Sequence, residues 1–123
     1  MLKAIIFVGL GGGVGSILRY LTSVAVTKYF HSVFPLSTFV VNLIGCFIIG
    51  LLLGTFEKFQ VVSPELRLLL VTGFCGGYTT FSAFASENMT LLQSNNYMIA
   101  ILYITLSIVF GITAVWLGMK IFQ

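Results

Sequence analysis

The chain has 123 residues, of which 59% are hydrophobic and only 7% charged, with six basic against three acidic side chains and a formal net charge of +3. A soluble domain carries about a quarter charged residues, so this composition cannot build a water-exposed surface. The basic residues stand singly, at Lys3, Arg19, Lys28, Lys58, Arg67 and Lys120, which excludes the basic stripe that nucleic-acid binding needs.

Turn-forming stretches at His31 to Ser37 with Pro35, Gln60 to Glu65 with Pro64, and Gln93 to Tyr97 with Asn95-Asn96 divide the chain. Four apolar segments remain, at about 4–30, 36–59, 66–92 and 98–121, and about 20 such residues cross a hydrocarbon core. The expectation is an all-α membrane protein, with residues 1–123 forming a single domain of four transmembrane helices.

The first segment follows Lys3 but lacks a small-residue cleavage site leading into a hydrophilic chain, so it is read as a span rather than a signal peptide. Gly9 and Gly13, and Gly11 and Gly15, have the spacing that lets helices approach closely. No register of these glycines satisfies GxGxxG, since the third position falls on Val14 or Ser16. Arg19 is the one strong cation well inside a span, where it adds positive potential.

In the second segment Asn42 interrupts an apolar run from Phe39 to Leu53. An amide there either bonds another helix or lines a watery path. Cys46, Gly50 and Gly54 repeat the small-residue spacing, and Cys46 and Cys75, 29 positions apart without a CxxC pattern, are read as small packing residues.

The third segment differs in kind, because Gly73, Gly76, Gly77, Thr79, Thr80 and Ser82 crowd its centre. This predicts a helix break near residues 75 to 80. Unpaired backbone groups in a bilayer cost several kcal/mol each and survive only in shelter, so a break implies either an ion site or close packing of Gly76 and Gly77. Carbonyls ending one half-helix suit a cation, and amides starting the next suit an anion. Phe81 and Phe84 follow at i and i+3 and project from a common side, either as core or as ring edges toward an anion. Glu87, the one acid clearly interior to a span, is either a proton carrier or a residue that caps or pairs locally near the helix end.

In the last segment Tyr103, Ser107 and Gly111 share one face, as an anion-bearing wall or as ordinary helix-helix hydrogen bonding. No nucleophile, base and orienter occur together, because His31, the single histidine, lies in a loop and Glu87 has no second acid beside it. An enzyme is not expected. Lys3, Lys58, Arg67 and Lys120 fall on one side of the membrane, against Lys28 and at most Arg19 on the other.

Three segments carry a resemblance over essentially the whole chain: Gly11 to Ser16 leading to Arg19-Tyr20, Thr38 to Gly45 (TFVVNLIG), and Thr72 to Phe84 (TGFCGGYTTFSAF). Here the sequence resembles the Fluc, or CrcB, family of fluoride channels. The resemblance implies a multi-pass protein of the bacterial inner membrane that exports fluoride passively to relieve its toxicity in the cytoplasm. It further implies an antiparallel, dual-topology homodimer with two pores and a structural Na+ on its axis. By position, the sodium ligands would be the backbone carbonyls of Gly76 and Thr79 from both subunits. The fluoride pathway would take Asn42, Phe81, Ser82, Phe84, Tyr103, Ser107 and Arg19. The sequence departs from the family pattern at Ala83, often threonine, and at Gly111 and Val115, where hydroxyls are common. Two other classes remain to be tested against this one: a small proton-coupled multidrug exporter, which uses a carboxylate in the first span where this chain has none, and a non-transporting scaffold.

Overall fold

The computed structural model describes residues 1–60 and 63–123, and all regular structure among them is helical. Helix α1 covers Leu2–Tyr29 and α2 covers Leu36–Phe59. The third span opens with α3, Pro64–Arg67, and runs on as a π-helix, Leu68–Cys75, and a short α4, Gly76–Tyr78. Thr79 and Thr80 then take extended angles before α5, Phe81–Gln93, and α6 closes the chain at Tyr97–Lys120. Four helical stretches, Leu2–Tyr29, Leu36–Phe59, Pro64–Gln93 and Tyr97–Lys120, are long and apolar enough to cross a membrane.

The boundaries follow from local chemistry. Ser63 caps α3 by accepting the Leu66 N–H at 3.1 Å, with Pro64 in the first turn, where its missing donor costs nothing. Gln60 ends α2 in the left-handed region, with φ of 51°. Between α5 and α6 the chain reverses in three residues: Asn95 has φ of 63°, which asparagine tolerates better than most side chains, and the Asn96 N–H returns to the Leu91 carbonyl at 2.8 Å.

Two backbone-to-backbone seams hold the spans together. In the first, α1 lies on the π-helix and α4. A Cβ on Gly11 or Gly15 would run into the carbonyls of Leu69 or Phe74, and one on Gly73 would stand 2.8 Å from the Val8 oxygen. In the second, α2 lies along α6, where a Cβ on Gly54 would stand 2.7 Å from the Met119 oxygen and Gly50 faces the Val115 carbonyl. Water offers no hydrophobic drive between helices inside lipid, so contact area of this kind is what associates them. Gly9 and Gly13 have open space where a Cβ would go; of the two glycine spacings in the first span, only Gly11 and Gly15 meet another helix here.

Aromatic packing secures α5. Leu91, Ala100 and Tyr103 form a buried cluster at the α5–α6 turn, with Phe34, Phe39 and Phe84 against it. Lys3 and Glu65 pair at 3.4 Å at the exposed end of the bundle, tying the chain start to the start of the third span. Most of the remaining large side chains of α1 and α6 face outward, as helices bathed in lipid require.

Candidate functional site

The centre of the site is a side chain imitating a peptide group. Asn42, on α2, donates from Nδ2 to the Thr80 carbonyl at 3.0 Å and accepts the Thr80 N–H on Oδ1 at 2.8 Å. Both backbone groups of an extended residue inside an apolar span are thereby satisfied, which the surrounding lipid could not do. The polar residue in the second span thus bonds another helix, and also lines a cavity.

Two carbonyls lose their helical donors as a result. The Thr80 N–H, which would otherwise return to the Gly76 oxygen four residues back, goes to Asn42. The Ala83 N–H, which would return to Thr79, is taken by the Thr80 hydroxyl at 3.2 Å as the cap of α5. The oxygens of Gly76 and Thr79 therefore have lone pairs to offer a hard cation, and no atom lies within 4 Å of the Cβ position of Gly76 to obstruct an approach. The donor set fits sodium in kind, but one chain supplies two carbonyls, fewer than a dehydrated cation takes, so a closed shell needs oxygens from elsewhere.

A cavity of about 480 Å³ opens on the extended residues Thr79 and Thr80. Asn42, Gly76, Thr79, Phe81, Phe84 and Ser107 all line it, so the structure gathers six of the residues expected from sequence into one place. Its remaining wall is mainly apolar, with Cys46 and Cys75 among the lining side chains.

The two phenylalanines have different surroundings. Phe81 is 78% exposed, whereas Phe84 sets its ring in edge geometry against Tyr103, with centroids 5.0 Å apart. The rings of Phe81 and Phe84 lie 5.7 Å apart, which agrees with projection from one side of α5. The Ser82 hydroxyl stands 3.3 Å from that of Thr80 in the first turn of α5, where helix N–H groups carry partial positive charge. Tyr103 is fully buried and its hydroxyl has no hydrogen-bond partner among the described residues. The Asn88 amide oxygen is similarly orphaned, while its nitrogen donates to the Phe84 carbonyl at 2.9 Å.

Arg19 lies elsewhere. It lines a second cavity of about 260 Å³ with Ser16, Ser23, Thr38 and Thr80. Thr80 borders both cavities, so the extended residues separate the arginine side from the phenylalanine side.

Glu87 does not cap its own helix. It accepts a short hydrogen bond from Thr38, in the first turn of α2. That pairing across 49 residues replaces the local capping alternative, and sequence spacing gave no sign of it. Thr80 stands in the sequence within a polar crowd, and the signal for its role as a cap is Thr80-Phe81-Ser82-Ala83, a hydroxyl residue just ahead of an apolar helix.

A family model described as CrcB-like protein, Camphor Resistance (CrcB), matches residues 6–119. A fluoride-specific ion channel FluC of Flavobacterium psychrophilum is 54% identical over 120 residues, covering 98% of this chain and 97% of the relative. The protein of the same name from Azobacteroides pseudotrichonymphae is 48% identical over 118 residues, covering 96% and 94%. That from Bacteroides fragilis is 44% identical over 120 residues, covering 95% and 94%.

Proposed function

The chain belongs to the CrcB-like family, and from that membership we propose that it is a fluoride-selective channel that lets fluoride leave the cell passively. Four apolar spans and bacterial relatives make it a multi-pass protein of a bacterial membrane, and a channel rather than an enzyme. The observation that carries the mechanism is the clasp between Asn42 and Thr80, because it holds the third span open in the same cavity that Phe81, Phe84 and Ser107 line.

Fluoride holds its water tightly, so a selective path must replace that shell with donors in a narrow place. The Asn42 amide and the Ser107 hydroxyl are the expected donors that line the cavity, the Ser82 hydroxyl stands beside Thr80 in the first turn of α5, and the edges of Phe81 and Phe84, the latter backed by the buried Tyr103, complete an apolar wall that carries positive partial charge. Arg19 contributes from the second cavity as a fixed charge that draws anions toward Thr80.

The same reading includes an antiparallel homodimer around a structural sodium ion. Its support is the pair of freed carbonyls at Gly76 and Thr79, two oxygens in one chain and four if a second chain brings the same two. A sodium ion held there supplies permanent positive charge beside the anion path. Fluoride entering a cell as neutral HF ionises in a near-neutral cytoplasm, so downhill export needs no coupling.

The test is efflux from liposomes holding the purified protein, with a potassium ionophore to dissipate voltage. Fluoride-selective efflux without a proton gradient is expected, with chloride retained. Efflux that requires proton exchange would make the protein a coupled exporter, and no efflux would make it a scaffold.

A further inference from the structure

The polar wall of the cavity stops short on α6. Ser107 lines it, but one turn on stands Gly111, which has no side chain, and the turn after that brings Val115. Gly50 meets Val115 and Gly54 meets Met119, so α2 and α6 run in the same direction and stay in step, four residues against four. One turn back along this seam Cys46 stands beside Gly111. The contact is direct: a Cβ on Gly111 would lie 3.6 Å from Cys46 Sγ, the one atom of another helix it would meet among the described residues. Gly50, Gly54 and Gly118 differ, since an added Cβ on any of them would strike the backbone of the facing helix.

Cys46 reaches the cavity itself, as does Asn42 one turn earlier on the same face of α2, and its thiol is free and half-buried. The Thr79 hydroxyl, which borders the same space, is already committed: it donates to the Cys75 carbonyl at 2.8 Å, and the Thr79 methyl turns toward Gly45. Resting on the fluoride reading above, we propose that the anion path crosses from α6 to α2 after Ser107, with the Cys46 thiol as the donor that stands in for the hydroxyl Gly111 lacks. An S–H group is a weak donor, larger and less polar than a hydroxyl. That suits a second station on a conducting path, because an ion must be bound firmly enough to enter and loosely enough to leave. An anion held at Asn42 and Ser107 is then handed on to a softer contact rather than to a bare apolar wall. A thiol that merely filled the space beside Gly111 would be replaceable by any group of its size.

Efflux from liposomes separates the donor from simple packing. Cys46→Ala should slow fluoride efflux at least about threefold, the loss of one ordinary hydrogen bond. Adding Gly111→Ser to that variant puts a hydroxyl into the vacated space and should restore efflux, whereas adding Gly111→Ala, which refills the space with a methyl, should not. Parental efflux in Cys46→Ala, or a Gly111→Ser that does no better than Gly111→Ala, would overturn the proposal and leave the thiol a packing group. A second readout is independent of flux: the infrared S–H stretch that Cys46→Ala removes from the spectrum of the purified parent should move to lower wavenumber with fluoride and stay in place with chloride. A band indifferent to fluoride, in a parent that conducts it, would overturn the role of the thiol and spare the fluoride reading. A parent that conducts no fluoride would overturn both.

Discussion

At the scale of single residues, Asn42 and the two phenylalanines separate structure from conduction. Asn42→Leu leaves the Thr80 N–H and carbonyl unsatisfied, and each such group costs about 1–3 kcal/mol. We expect fluoride efflux to fall at least about tenfold, in keeping with a loss of that size; parental efflux would reduce the amide to a packing residue. Phe81 is mostly exposed within one chain, whereas Phe84 packs on Tyr103. Phe84→Ala should therefore lower thermal stability by about 3 kcal/mol or more, and Phe81→Ala by far less. Both should reduce fluoride flux, and a Phe81→Ala channel that conducts normally would remove the ring-edge role. Asn42 and the phenylalanines were legible in sequence because each contradicts its surroundings: an amide in an apolar run, or rings beside a glycine and threonine cluster. The Thr38 to Glu87 bond was not, since nothing in local spacing reports which helix will stand opposite.

At the scale of elements, the seams set tolerance to substitution. Gly11→Ala and Gly15→Ala each drive a methyl into a carbonyl of the π-helical span, while Gly9→Ala and Gly13→Ala meet open space. Melting in detergent should drop for the first pair by an amount typical of overpacking, about 1–3 kcal/mol, and stay within about 0.5 kcal/mol for the second. Equal losses at all four positions would mean that the open face is covered by something in the membrane. The small-residue spacing announced close contact without saying which of two interleaved glycine faces makes it. The π-helix at Leu68–Cys75 left no trace in sequence at all. Its three leucines favour a helix and Val71 to Cys75 favour one less, a mixture that names no particular winding, and the wider turn lies where the α1 backbone presses against Gly73.

At the scale of the whole molecule, hydropathy and turn residues located all four spans to within a few positions, because the bilayer imposes a length on each. Partnership is a different matter, since one chain's sequence records its own packing and only indirectly that of a neighbour. If two antiparallel chains share sodium through Gly76 and Thr79, exchanging sodium for N-methylglucamine should lower stability by about 3 kcal/mol, the linkage expected at a hundredfold excess over Kd. Stability indifferent to sodium would remove the ion from the account. Dual insertion can be read from a cysteine at Ser94, in the α5–α6 turn, in a background lacking Cys46 and Cys75. Labelling from both membrane faces is expected, and one-sided labelling would mean that the basic bias of Lys3, Lys58, Arg67 and Lys120 fixes a single orientation.

The clasp on Thr80 has a consequence for isotope exchange. A residue between two helices ordinarily trades its amide hydrogen for deuterium by small local openings, long before its neighbours do. Here the hydrogen is held by Asn42, a side chain 38 positions away, and it cannot be released without parting α2 from the third span. The least helical point of that span should be among its slowest to exchange, with a clock set by the packing of two helices.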